Sequence, residues 1–261
     1  MVRYPGFSAN LAMLFQDVPL LERFARARSA GFGAVEISSN ELFEHCPKEV
    51  ASHLKGEGLD CVLFNLPAGD WRGGERGLAA LPKRQEEFLR SLQQGADYAE
   101  RLGCSRVHCL AGLLGSSEIY RSNLQKAGEV LGPMGVEVLI EPINQRSMPD
   151  YHLKSFGQAE RLLAEVSRPN APVKLLFDFF HCQILHGDLT MNLRKYADII
   201  GHVQVAGVPD RGEPDARQEV NFRHLFQVLR DELGYKGHIG CEYQPRGKTE
   251  DGLKWLDELV E

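Results

Sequence analysis

The chain alternates regularly between short apolar segments and longer segments with helical periodicity. The apolar segments, each typical of a buried strand, are FSAN, AVEISS, CVLFNLP, RVHCLAG, VEVLIEP, VKLLFDF, HVQVAG and HIGCEY. The segments between them repeat apolar residues every three or four positions, as amphipathic helices do. Almost continuously apolar strands that are joined by helices predict a parallel sheet covered by helices.

Three of the helical segments end at a glycine, which can adopt the left-handed conformation that closes a helix. In each segment the apolar residues fall on one face. The segments are 20–30, 86–102 and 222–233, and the glycines that follow them are Gly31, Gly103 and Gly234.

Eight strand–helix units in 261 residues predict an α/β protein with a closed (β/α)8 architecture, a TIM barrel. A closed barrel is favoured over an open sheet because no strand segment is left over for a second domain. We therefore expect one domain over residues 1–261. No G-x-G-x-x-G motif follows the first strand, so the dinucleotide-binding fingerprint is absent.

Charge and composition exclude several classes of protein. The net charge of −6 argues against a general nucleic-acid surface, which needs clustered cations. No apolar segment approaches the roughly 20 residues of a membrane span, and the N-terminal MVRYPGFSAN lacks the apolar centre of a signal peptide. The six cysteines form no C-x-x-C pair, so we expect reduced thiols and a cytoplasmic location. The oligomeric state stays open, and a homo-oligomer is one alternative.

Every predicted strand ends at or near a polar side chain. In a parallel barrel the carboxyl ends of the strands meet at one face, and the chemistry of such barrels takes place there. The last four strands are neighbours along one wall, so their polar side chains can converge on one point. In chain order, the eight residues are Asn10, Glu36, Asn65, His108, Glu141, Asp178, Gln204 and Glu242.

Three carboxylates in a small space need a cation, because mutual repulsion would otherwise force one of them to take a proton. Oxygen ligands select a hard divalent ion such as Mg²⁺ or Mn²⁺. We predict that one such ion is bound by the polar residues of strands five to eight, Glu141, Asp178, Gln204 and Glu242. The alternative is that Glu141 belongs to an ion-pair layer inside the barrel. That layer needs interior cations, and the strand segments offer only Lys174 and Arg106, both at the opposite end.

Four further residues are candidates for binding a substrate. Arg211 lies in the loop after strand seven, either as a solvated charge or as a bidentate partner of a substrate carboxylate. His181 follows Asp178 by three positions, either as a structural histidine or as a side chain that overhangs the site. His108 is either a core histidine or a site residue. Asn65 ends the third strand segment, and we predict substrate binding for it as well.

Several segments together resemble the hydroxypyruvate isomerase family, one of the xylose isomerase-like TIM barrels, a group that also contains sugar epimerases and endonuclease IV. The resemblance extends over nearly the whole chain. The segments that carry it are FSANLAMLF, NLPAGDWRGGERGLAALPKRQEEF, IEPIN, FDFFHCQ, GHVQVAGVPDRGEP and GHIGCEYQPRG.

The resemblance implies that hydroxypyruvate and tartronate semialdehyde (2-hydroxy-3-oxopropanoate) are interconverted through an enediolate. It implies that Glu141 and Glu242 act as the acid/base pair, that a divalent metal stabilises the developing charge, and that no organic cofactor takes part. It also implies that His181 and Arg211 contact the substrate, a small 2-oxo or hydroxy acid.

Three other functions stay open. The nearest is a related isomerase of 2-oxo acids (2-oxo-tetronate) or a ketose epimerase, although Arg211 favours an acid over a neutral sugar. A DNA-repair enzyme like endonuclease IV would need more histidine ligands and a cationic face, which the nine histidines and the net charge of −6 disfavour. A non-catalytic metal-binding or sugar-binding barrel would be favoured if Glu141 or Glu242 were missing, and both are present.

Overall fold

Eight parallel strands pair in chain order and close into a barrel in the computed structural model, which describes residues 3, 4 and 6–260. The first strand also pairs with the last, which closes the sheet. The predicted (β/α)8 barrel is therefore confirmed. The strands are β1 Phe7–Asn10, β2 Ala34–Ile37, β3 Asp60–Asn65, β4 Arg106–His108, β5 Glu137–Ile140, β6 Val173–Asp178, β7 Ile200–Val205 and β8 Ile239–Cys241.

Helices surround the barrel, and their apolar faces pack against the outer face of the strands. Two 3₁₀ turns, Gly132–Met134 and Ala197–Ile199, and a π-helical turn, Val228–Glu232, extend three of them. The helices of the described residues are α1 Leu20–Ala30, α2 Ser39–Leu42, α3 Pro47–Glu57, α4 Gln85–Leu102, α5 Ser117–Leu131, α6 Phe156–Val166, α7 Phe179–Leu185, α8 Leu189–Tyr196, α9 Phe222–Gln227, α10 Thr249–Gly252 and α11 Lys254–Val260.

The predicted helix ends are confirmed at the first two glycines. Gly31 and Gly103 both adopt the left-handed conformation, and their N–H groups donate to carbonyls of the last helical turn. The third predicted helix differs, because α9 ends at Gln227 and continues as the wider π turn before Gly234. Apolar residues of α1 and α4 such as Phe24 and Phe88 are buried in the main core between helices and barrel.

The strand register sets which polar residues become neighbours at the carboxyl end of the barrel. Asp178 of β6 lies opposite Gln204 of β7, and Gln204 lies opposite Gly240 of β8. Irregularities in the pairing occur at Val35/Glu36 and at Leu175/Leu176. The register therefore brings the polar ends of β6, β7 and β8 side by side.

The sequence predicted neither a membrane span nor a disulfide bond. Within the described ranges, no helix combines the length and apolarity needed to cross a bilayer. All six cysteines are free thiols, and five of them are buried.

Candidate active site

The carboxyl end of the barrel gathers six of the eight polar residues that were predicted there. They reach it in three ways: as the last residue of a strand, as a residue near the end of a strand, or as the residue directly after it. Asn65, His108 and Asp178 end β3, β4 and β6; Gln204 lies in β7; Glu141 and Glu242 directly follow β5 and β8.

Glu141 is a buried carboxylate whose hydrogen-bonding capacity is not satisfied. Its strand ends because Pro142 has no N–H to donate to a neighbouring strand. Its Oε1 atom has no hydrogen-bond partner among the residues described. Burial raises the pKa of Glu141 well above its ordinary value, and the nearby carboxylates of Glu242 and Asp178 raise it further. The protein alone therefore leaves this carboxyl uncompensated.

Asp178 has one oxygen in use and one free. Oδ1 accepts a hydrogen bond of 2.7 Å from the backbone N–H of Phe180 and so caps α7. Oδ2 is buried, and no hydrogen-bond donor in the described part of the chain reaches it. Burial raises the pKa of Asp178, although Arg211 and the Phe180 amide act in the opposite direction. The cap fixes the side chain so that its free oxygen faces the site.

Arg211 lies beside the carboxylates of Glu242 and Asp178 in the same cluster. Its Nη2 atom donates to Glu242 Oε2 at 2.9 Å and lies 3.9 Å from Asp178 Oδ2. The residue has a positive φ of 56°, and its guanidinium stacks 5.2 Å above the ring of Phe180. Burial raises the pKa of Glu242 to about 7, although Arg211 opposes this effect. Of the two alternatives for Arg211, the solvated surface charge is therefore wrong.

Gln204 is oriented by a second buried carboxylate, Glu36 of β2. Gln204 Nε2 donates to Glu36 Oε2 at 2.7 Å. Burial acts to raise the pKa of Glu36, but His202 and the hydrogen bonds from Gln204 and Ser8 outweigh it and lower the pKa. An ionised carboxylate only accepts hydrogen bonds, so the NH₂ end of the Gln204 amide must face it. Gln204 Oε1 is left buried without a partner in the described residues and is free to bind a cation.

Glu36 itself belongs to an interior polar layer and not to the open cluster. It accepts hydrogen bonds from Ser8 at 2.8 Å, Asn10 at 3.0 Å and His202 at 2.7 Å, in addition to Gln204. Gly240 makes room for it, because a Cβ atom there would collide with the carboxyl group. An interior polar layer thus exists at Glu36 and not at Glu141. Its partner on β7 is His202, which was not predicted, although a histidine inside HVQVAG was the visible signal.

The free oxygen atoms fit a hard divalent cation. Glu141 Oε1, Asp178 Oδ2 and Gln204 Oε1 are all buried and unpartnered within the residues that the structure describes. Unpaired buried oxygens are costly, and a cation removes that cost. A second grouping brings ligand atoms of Glu141, Asp178 and His181 within 4.8 Å of one another. Both groupings share Glu141 and Asp178.

The remaining candidates lie around this cluster at different distances. His181 Nε2 is 3.7 Å from both Glu141 Oε1 and Asp178 Oδ2. His108 Nε2 is 3.8 Å from Glu141 Oε2, and burial lowers the pKa of His108 to about 3, so this ring is neutral at the site. Asn65 pairs in register with His108 but makes no side-chain hydrogen bond to the cluster among the described residues. Substrate binding by these three residues stays a prediction.

Asn144 is a site residue that the sequence interpretation did not assign. It lies in the loop after β5, is fully buried, and contacts His181. The signal was present as the last residue of the IEPIN segment.

Comparisons with known proteins agree with this fold. The family described as xylose isomerase-like TIM barrel matches residues 24–259. The 2-oxo-tetronate isomerase of Cupriavidus necator is 44% identical over 259 residues, which are 97% of each chain. The hydroxypyruvate isomerase of Escherichia coli is 39% identical over 258 residues, covering 96% of this chain and 98% of that one.

A solved structure is also similar over its whole length. The crystal structure of a Brucella melitensis protein described as an AP endonuclease of family 2 has a TM-score of 0.92 and 43% sequence identity. It covers 97% of this chain and 98% of its own. The family match and the relatives above 30% identity show that this chain belongs to the xylose isomerase-like TIM barrel family.

Proposed function

We propose that this protein is an isomerase that interconverts hydroxypyruvate and tartronate semialdehyde. The observation that carries the proposal is the cluster at the barrel end, where the buried Glu141 and the partly exposed Glu242, both with raised pKa values, lie beside one guanidinium. The names of the Escherichia coli and Cupriavidus necator relatives support an isomerase of small 2-oxo acids.

The proposed metal site consists of Glu141, Asp178, Gln204 and Glu242, which would hold one Mg²⁺ or Mn²⁺ ion. When bound, the ion would neutralise negative charge that develops on two adjacent substrate oxygens. The unpartnered oxygens of the first three residues support this set. No organic cofactor is needed for the proton transfer described next.

The reaction moves a proton between adjacent carbons. One glutamate removes a proton from the hydroxymethyl carbon, and the other delivers a proton to the former ketone carbon. The hydroxyl proton is lost as the former ketone oxygen gains one, so the atoms balance. Glu141 and Glu242 follow β5 and β8, so they approach the substrate from different strands and can reach different carbons. In the metal-free protein Glu242 has a pKa of about 7, so this carboxyl can hold or release a proton near neutral pH before an ion binds.

The substrate carboxylate would be bound by Arg211. A guanidinium can make two parallel hydrogen bonds to a carboxylate, and Arg211 already makes one to Glu242. A substrate acid would take over this contact and leave Glu242 free to exchange its proton. His181, His108 and Asn65 would contact the remaining oxygens.

A substrate panel tests the proposal. Hydroxypyruvate, 2-oxo-tetronate, a neutral ketose and DNA with an abasic site are each assayed with Mg²⁺ and with Mn²⁺. We expect the largest kcat/KM with hydroxypyruvate and a loss of turnover in Glu141→Gln. The main alternative is a 2-oxo-tetronate isomerase, which the Cupriavidus necator relative favours. A higher kcat/KM with 2-oxo-tetronate would establish that alternative, and strand cleavage dependent on Glu141 would overturn both.

Some broader properties are also proposals. We propose that residues 1–261 form a single domain, that the protein is cytoplasmic, and that it does not bind nucleic acid. The net charge of −6 supports the last of these. A homo-oligomer stays open, and light scattering of the purified protein would decide it.

A further inference from the structure

Two donors of one residue face the same nitrogen of His181. The backbone N–H of Asn144 points at His181 Nδ1 at 3.2 Å, and the side-chain Nδ2 of Asn144 lies 2.7 Å from the same atom. A backbone N–H can only donate, so Nδ1 must offer it a lone pair. His181 is fully enclosed, so water does not compete for this contact.

The side chain of Asn144 has a defined orientation as well. Its Oδ1 atom accepts a hydrogen bond of 2.8 Å from the backbone N–H of Ser147. That contact identifies the oxygen end of the amide, so the end that faces His181 is the NH₂ group. Both groups around Nδ1 are therefore donors, and the ring proton must be on Nε2.

We propose that Asn144 is a positioning residue that holds His181 as the neutral tautomer with its proton on Nε2. A histidine that binds a metal through Nε2 needs a lone pair there and usually donates its Nδ1 proton to a carboxylate or carbonyl. His181 has the opposite arrangement. His181 is therefore excluded as a ligand through Nε2, although this atom lies close to Glu141 and Asp178.

The same arrangement makes His181 a hydrogen-bond donor through Nε2–H. Its Nε2–H group lies 3.7 Å from Glu141 Oε1 and 3.7 Å from Asp178 Oδ2, at the edge of the proposed metal site. A neutral N–H donor stabilises a substrate oxygen that gains negative charge during proton transfer. This second step rests on the proposed function, whereas the tautomer of His181 does not.

Nuclear magnetic resonance on protein labelled with ¹⁵N-histidine tests the tautomer directly. Long-range ¹H–¹⁵N spectra distinguish a protonated Nε2 from a protonated Nδ1, and the signal of His181 is assigned by its loss in His181→Gln. We expect the Nε2–H form in the metal-free protein and after addition of Mg²⁺. A protonated Nδ1 in the wild-type protein, or coupling of Nε2 to bound ¹¹³Cd²⁺, would overturn the proposal.

Two variants of Asn144 separate positioning from folding. Asn144→Asp places a carboxylate oxygen beside Nδ1, and a charge-assisted hydrogen bond to it outweighs the longer contact with the backbone N–H, so we expect a proton to appear on Nδ1. Asn144→Ala removes one donor but keeps the backbone N–H, so the Nε2–H form should persist. We expect kcat to fall about 10²- to 10³-fold in Asn144→Asp, the usual cost of losing one donor to a developing negative charge.

The outcomes distinguish this proposal from the proposed function. If Asn144→Asp retains the Nε2–H form while folded, Asn144 does not control the tautomer. If that variant does not fold, the wild-type and Asn144→Ala spectra still decide the assignment. If the protein has no isomerase activity, the tautomer result stands and only the catalytic use of His181 fails.

Discussion

Replacing Glu242 by glutamine should change how the stability of the metal-free protein depends on pH. Burial raises the pKa of Glu242 from 4.5 to about 7. Because the folded state prefers the protonated form, its stabilising contribution is complete below about pH 4.5. That contribution is lost as the pH rises through about 7, since the fold must then hold an ionised carboxylate that is mostly removed from water.

The size of the effect follows from the two pKa values. The difference between 4.5 and about 7 corresponds to about 3 kcal/mol of unfolding free energy. Glutamine is neutral at every pH and avoids this loss. Buried histidines act in the other direction: His108, with its pKa lowered to about 3, adds stability as the pH rises from about 3 to 6.5. The wild type and the variant share this term, so their difference reports on Glu242 and on its effect on Glu141, whose pKa Glu242 helps to raise.

The measurement is unfolding by urea and by heat at pH 5 and pH 8 after treatment with a chelator. Between these values, Glu242→Gln should gain about 2.5 kcal/mol relative to wild type, or roughly 5–10 °C in Tm. Glu118→Gln, at an exposed position on α5, controls for the loss of one carboxylate. Identical pH profiles for Glu242→Gln and the wild type would refute the reasoning.

Four further predictions concern the site and the loops around it. With saturating metal, Glu141→Gln and Glu242→Gln should each lose about 10²–10⁴-fold in kcat. The control, Gln204→Glu, should lose less because it removes no acid/base group. Near-normal turnover in either glutamine variant would exclude that glutamate as an acid/base group. Arg211→Lys should raise KM for hydroxypyruvate and leave a neutral ketose little affected, because an ammonium cannot form two parallel hydrogen bonds; equal losses on both substrates would assign Arg211 to loop structure. Adding Mg²⁺ or Mn²⁺ at pH 8 should raise the Tm of the wild type more than that of Glu141→Gln, as scanning calorimetry can show. Gly77→Ala should lower the free energy of unfolding by more than about 1 kcal/mol in urea, because Gly77 has a φ of 118° and a Cβ atom would collide with a neighbouring backbone carbonyl.

The barrel could be predicted from the sequence because its signals are local. Each buried strand and each amphipathic helix has its own hydrophobic period, and the order of these periods is enough to predict eight strand–helix units. The sequence defined the ends of the strands and helices less well. The segment AVEISS, for example, ends as a strand at Ile37, and Ser39 already begins α2, since Ser38 caps that helix through Asn40.

The polar residues of the site could also be found from the sequence, because a polar residue at the end of an apolar strand is a local signal. Their place at one end of the barrel follows from the parallel arrangement alone. The position of Arg211 could not be predicted in this way. The loop that carries it is irregular, and only its folded path brings the guanidinium against Glu242.

Glu36 and Glu141 mark the limit of the sequence, because both are carboxylates in or beside apolar strands. Only the tertiary structure separates them. Glu36 accepts a hydrogen bond from His202, which lies 166 positions away in the chain, whereas Glu141 Oε1 finds no donor among the described residues. The charge state and the task of a buried carboxylate depend on partners supplied by distant strands. The sequence by itself therefore determined which strand-end residues reach the site, and the closed barrel decided which carboxylates are satisfied by internal hydrogen bonds and which are left free for a ligand.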